Sequence, residues 1–194
     1  NTQTFLNELA TMTHAGRMQR MVQVGKASRT DPALATLIET LSRGDTYERR
    51  LAITACFGSR DGAHALRALQ DASRVVRGMA IKAAALAASD EQLRDRLPLV
   101  NPAMRYKVLV HLKQQKRQSP IDAFVQQLAE AHDPALSALL SLASPRIVEA
   151  QIAAVADYAG RSDWVRLAKK HPAIVAAVVQ AWAGRIEYSD NRLI

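Results

Sequence analysis

Three stretches decide the reading: Leu41–Ala55 (LSRGDTYERRLAITA), Leu69–Ala83 (LQDASRVVRGMAIKA) and Leu97–His111 (LPLVNPAMRYKVLVH). Their starts lie 28 residues apart each time. Leu41, Leu69 and Leu97 superpose, as do Arg49, Arg77 and Arg105, then Ala52, Ala80 and Val108, then Ile53, Ile81 and Leu109. An arginine in register three times, followed at +3 and +4 by apolar residues, is an internal repeat of the length that marks stacked supersecondary units. One such unit cannot bury its apolar face alone, but a stack of copies builds a continuous interior. Looser copies lie outside the block, at Arg20–Val24, in HDPALSALLSLA and in HPAIVAAVVQAWA.

Working outward, the punctuation is that of helices. Asp31-Pro32, Asn101-Pro102, Ser119-Pro120, Asp133-Pro134 and Ser144-Pro145 each place a capping side chain before a proline. The side-chain oxygen accepts an orphan N–H of the first turn, and proline suits the first helical position. These five pairs predict five helix starts, with His171-Pro172 as a sixth proline boundary. Pro98, after RDRL, predicts the end of a short helix. Leu34, Leu37, Ile38 and Leu41 fall three or four apart on one face, as do Ile121, Phe124, Val125 and Leu128. No alternating run bounded by hairpin signals occurs, so no strand is expected. The expectation is 12 or 13 helices of roughly 10–17 residues joined by very short turns such as SRGD and ASD.

The segment LQDASRVVRGMAIKAAALAA resembles the second half of a HEAT repeat, with Asp71, Val76 and Arg77 matching its pattern directly. Asp45 stands four before Arg49, and Asn101 four before Arg105; beyond residue 119 Ser137 or Ala138 replaces the arginine. The resemblance is specific over residues 33–117 and general elsewhere. It implies an armadillo-like α-solenoid: an all-α, right-handed α-α superhelix of about six stacked antiparallel helix pairs, residues 1–194 forming one domain. A pair of four-helix bundles is the other all-α arrangement, and the 28-residue period argues against it. The absent starting methionine and the end at SDNRLI, with no polar capping helix, read as a piece of a longer chain.

Composition narrows the function classes. Residues 63–118 hold eleven Lys/Arg against four Asp/Glu, an excess of seven, whereas residues 1–62 carry an excess of two and residues 119–194 a deficit of one. Such a field attracts polyanions or acidic proteins. No apolar stretch approaches the roughly 18 residues of a membrane span. The single cysteine, Cys56, lies in the apolar run LAITACF and reads as a small buried hydrophobe. The missing disulfide framework suits an intracellular, reducing compartment. Among His14, His64, His111, His132 and His171, none pairs with another His or Cys at zinc-ligand spacing, so no metal site is expected. No nucleophile elbow and no Gly-rich phosphate loop appears, so neither catalytic residues nor a cofactor are expected.

Two readings fit the arginine register. Arg49, Arg77 and Arg105 are either a row of cations facing an anion or a structural ladder, each bonding to Asp or to helix ends of the next repeat. The Asp71/Arg77 spacing favours the ladder, which is also the use the HEAT resemblance implies. The unrepeated cations Arg74, Lys82, Lys107, Lys113, Lys116 and Arg117 are the candidate partner-binding residues. The run KQQKR at 113–117 closes a helix, where cations also complement the helix dipole. Asp163, Trp164 and Trp182 invite comparison with HEAT-like DNA glycosylases, which hold a cationic base between Trp and Asp, but these three lie in the non-basic third. The leading expectation is a non-enzymatic scaffold that holds a protein or peptide on a concave solenoid surface. The alternative is a DNA or RNA backbone binder centred on residues 63–118, with glycosylase-like activity as its enzymatic variant. Few aromatics leave little stacking platform for unpaired bases, so a duplex backbone fits better.

Overall fold

The computed structural model describes residues 2–190, with side chains through Gly184. The described residues are helical and contain no strand. In chain order the helices are α1 (Thr2–Ala10), α2 (His14–Ala27), α3 (Pro32–Ser42), α4 (Thr46–Ser59), α5 (Ala63–Ala68), α6 (Arg74–Ala87), α7 (Asp90–Arg96), α8 (Pro102–Gln114), α9 (Ser119–Glu130), α10 (Leu136–Leu140), α11 (Pro145–Val155), α12 (Arg161–Lys170) and α13 (Pro172–Asp190). A 3-10 turn, Leu97–Leu99, separates α7 from α8. No helix among the described residues is long and apolar enough to cross a membrane. The contacts divide the chain into two compact units, one ending at Arg117 and one beginning at Gln118.

In the first unit α2 packs on α4, α4 on α6 and α6 on α8. Helix α3 packs on α2 and α4, and α5 packs on α4, α6 and α7. In the first two copies the leading helix packs on the following one, α3 on α4 and α5 on α6, whereas in the third the 3-10 turn stands between α7 and α8; the repeated side chains are nonetheless buried alike. Leu41 lies in the last turn of α3, and Leu69 and Leu97 directly follow α5 and α7; all three are fully buried. Ala52, Ala80 and Val108, with Ile53, Ile81 and Leu109, fall at matching positions of α4, α6 and α8, none more than 6% exposed. Each large aliphatic side chain buried in this way contributes about 1.5–3 kcal/mol.

Small residues set how closely the row packs. A Cβ on Gly25 of α2 would strike the main chain of Ala55 in α4, and a Cβ on Gly58 of α4 would strike the main-chain oxygen of Val22 in α2. The two glycines thus let the helix backbones meet in both directions. Gly78 of α6 has nothing within 4 Å of its missing Cβ.

The helix starts follow the capping chemistry closely at Asp31, whose side chain accepts from Ala33 N–H, and at Asn101, which accepts from Ala103 N–H. Asp45 with Glu48, and Ser89 with Gln92, form reciprocal capping boxes. Three proline pairs depart from expectation, one of them Ser144-Pro145, where α11 starts as predicted but the Ser144 side chain makes no capping bond. Helix α9 already begins at Ser119, with Gln118 before it, and the Gln118 amide bonds to Asp122 instead of leaving Ser119 as the cap. Asp133 bonds to Ala135 N–H in a local turn, which delays α10 to Leu136. Pro98 lies in the 3-10 turn that ends α7. Helices α5, α7 and α10 have six, seven and five residues, shorter than the expected range, while α13 has nineteen.

In the second unit α9 packs on α10 and α11, α10 on α11 and α12, and α13 on α11 and α12. Ile121, Phe124, Val125 and Leu128 are all buried, so the apolar face read from their spacing points into this core. Residues 191–194 of the SDNRLI end lie outside the described residues.

Candidate functional site

Arg49, Arg77 and Arg105 each occupy the fourth position of their helix. Each guanidinium folds back onto the carbonyl five residues earlier: Arg49 to Gly44 at 2.7 Å, Arg77 to Ala72 at 2.8 Å and Arg105 to Val100 at 3.0 Å. Arg77 also donates to the carbonyl of Asp71, and Arg105 to that of Pro98. The arginines therefore satisfy main-chain oxygens in the turns before α4, α6 and α8. The Asp71 carboxylate goes to Arg49 of the preceding copy, with Nε–Oδ2 2.7 Å and Nη2–Oδ1 3.1 Å. Burial alone would push Asp71 up, but hydrogen bonds from Arg49 and from the Ser73 N–H outweigh it and hold the carboxyl below its ordinary range.

The six candidate cations separate by use. Arg117 donates to the Ala85 carbonyl near the end of α6 at 2.8 Å and to Asp90 at 2.6 Å, so it closes the end of a neighbouring helix. Lys116 follows α8 with φ +58°, a left-handed position. Arg74 and Lys82 stand on the exposed side of α6, and Lys107 on that of α8, the helix packed against it. Arg74, Lys82, Lys107 and Lys116 are exposed and make no ion pair among the described residues. Lys113 is also exposed, in the last turn of α8. Val75 (55% exposed) and Leu86 (53%) share the exposed side of α6 with Arg74, Gly78 and Lys82.

A second cluster lies where α3 and α5 face one another. Glu39 accepts from Arg43 (Nη2, 2.7 Å) and from Arg67 (Nη2, 2.9 Å), and Arg67 also bonds His64 Nδ1 at 2.6 Å. Burial, with the charge of Arg67, holds His64 below the usual imidazole range. A cleft of about 370 Å³ opens here, lined by Glu39, Arg43, Arg49, His64, Arg67 and Asp71 among others. Glu39 and Arg67 are themselves 28 residues apart. That register could have exposed the pair in the sequence, which the arginine pattern alone did not.

Asp163 is occupied within the fold. Its Oδ2 accepts from Gly160 N–H and from the Ser137 hydroxyl, both at 3.1 Å. Trp164 and Trp182 pack edge to face, with centroids 5.5 Å apart. His171 lies 3.2 Å from the Ser141 carbonyl, and His132 follows α9 at φ +53°. No group of three His, Cys, Asp or Glu among the described residues could hold a metal ion. Cys56 is buried, and desolvation pushes its thiol up to about 12. Comparison of the chain with protein families, curated proteins and solved structures finds no match.

Proposed function

We propose that this chain is a non-enzymatic binding module of the HEAT-like α-solenoid kind, and that its first unit holds an acidic protein partner. The α2–α4–α6–α8 row, with equivalent side chains buried every 28 residues, supports the solenoid reading. A right-handed twist from copy to copy belongs to the same proposal. The observation that carries the binding reading is the exposed side of α6. Arg74 and Lys82 stand there without carboxylate partners, beside two large apolar side chains, Val75 and Leu86, left in water. Cations steer an acidic partner, and apolar side chains hold it once water is expelled.

The same cations, with Lys107 on α8, also favour a second reading, attachment to a nucleic-acid backbone. One titration separates the two. Fluorescein-labelled duplex DNA, duplex RNA and a glutamate-rich peptide with apolar residues are each titrated at several salt concentrations. A protein-partner module binds the peptide, and Lys82→Glu with Lys107→Glu weakens that binding about tenfold. Affinity confined to the duplexes, falling steeply with salt, would overturn the first reading in favour of the second.

A further inference from the structure

The 3-10 turn Leu97–Leu99 is fixed more firmly than its length requires. Arg105 donates to the carbonyls of Pro98 (2.9 Å) and Val100 (3.0 Å), and Gln70 Nε2 donates to that of Leu99 (2.8 Å). Three consecutive carbonyls are thus clamped by side chains from α8 and from the turn after α5. What the clamped turn presents is Leu99, 66% exposed. Holding a large apolar side chain in water on a rigid turn gains nothing for the fold, whereas it lowers the ordering cost of binding.

Beside Leu99 lies a cleft of about 400 Å³, lined by Leu66, Arg67, Gln70, Arg96, Leu99 and Val100. Leu66 and Val100 are 4% exposed and give it buried apolar walls. The lining holds two arginines, Arg96 and Arg67, the latter paired with Glu39, and no carboxylate among the described residues. Arg67 donates to Glu39 through Nη2 at 2.9 Å. Arg96 is exposed and makes no ion pair among the described residues.

We infer that this cleft is a docking site for an acidic protein segment in which a carboxylate side chain adjoins a large apolar one. The apolar group lies against Leu99, Leu66 and Val100, and the carboxylate meets Arg67 and Arg96. The inference rests on the protein-partner reading above and gives it a second contact point, apart from the α6 face.

The test uses the full chain and a short fluorescein-labelled peptide in which glutamates flank a leucine–phenylalanine pair, with an all-glutamate peptide of equal charge as control. Methyl NMR resonances of Leu66, Leu99 and Val100 should shift on titration with the first peptide. Arg96→Glu should weaken its binding about tenfold, and Leu99→Ser should reduce it to the level of the control peptide. Both side chains are exposed, so melting should stay unchanged and report that the variants fold. Shifts confined to Val75 and Leu86, with Arg96→Glu binding as the parent does, would overturn this site and leave the protein-partner reading standing. Equal affinity for both peptides would also overturn it, because the apolar pair would then not be read. Binding of duplex DNA but of neither peptide would overturn both.

Discussion

Arg49 and Asp71 meet through two parallel hydrogen bonds, although 22 residues separate them and each belongs to a different copy of the repeat. The guanidinium also holds the Gly44 carbonyl, and the carboxylate also accepts from the Ser73 N–H two residues on. One planar pair therefore joins the turn before α4 to the turn before α6.

Removing this joint should loosen both turns. Asp71→Ala should destabilise the chain by about 1–2 kcal/mol, from the lost charge-assisted bonds to Arg49 and the lost bond from Ser73 N–H. Because the folded carboxyl sits below its ordinary range, its contribution is complete above the unfolded value, about 3.9, and disappears as pH falls through the folded one. Urea melts between pH 7 and 2 should show the parent losing this part of its stability in acid and Asp71→Asn showing no such loss.

The glycines should divide by what lies beside them. Gly25→Ala and Gly58→Ala each force α2 and α4 apart and should cost about 1–3 kcal/mol. Gly78→Ala meets open space within a helix and should stabilise by about 0.5–1 kcal/mol. Thermal melts of the three variants read the contrast directly.

Two adjacent cations should behave oppositely. Lys116 is a non-glycine residue at a left-handed position, so Lys116→Gly should raise stability by about 1 kcal/mol. Arg117→Ala removes the bonds to Ala85 and Asp90 and should lower it by about 1 kcal/mol. Arg117→Ala should leave peptide affinity unchanged while Lys82→Glu weakens it, as fluorescence anisotropy would register.

Cys56 should be inert in the native chain, since its buried thiol ionises only near about 12. A thiol-reactive disulfide reagent at pH 8 should release no colour from the folded protein and one equivalent per chain in denaturant.

What could be read beforehand was whatever depends on local chemistry or on a repeated position. Asp31 and Asn101 cap helices because a side chain and its own backbone suffice for that bond. Leu41, Leu69 and Leu97 are buried alike because a repeated position brings a repeated environment. Which arginine bonds across copies was harder to see. Arg49 reaches Asp71 of the next copy, whereas Arg77 holds main-chain oxygens of its own turn. Arg117, read among the partner-binding cations, turns back to α6 because unsatisfied carbonyls at a helix end attract a guanidinium within reach. The cleft beside Leu99 left no linear signal, since Leu66, Arg96 and Leu99 converge only after α5 and α7 pack together.

The most direct measurement removes one period from the stack. Deleting residues 69–96 takes out one 28-residue length and joins Ala68 to Leu97, so that Val108 and Leu109 inherit the layer left by Ala80 and Ile81. If neighbouring copies share one continuous interior, the shortened chain keeps its helical circular dichroism per residue and a cooperative melt, whereas deleting only residues 69–82 abolishes both. Equal loss of structure in the two deletions would contradict the account.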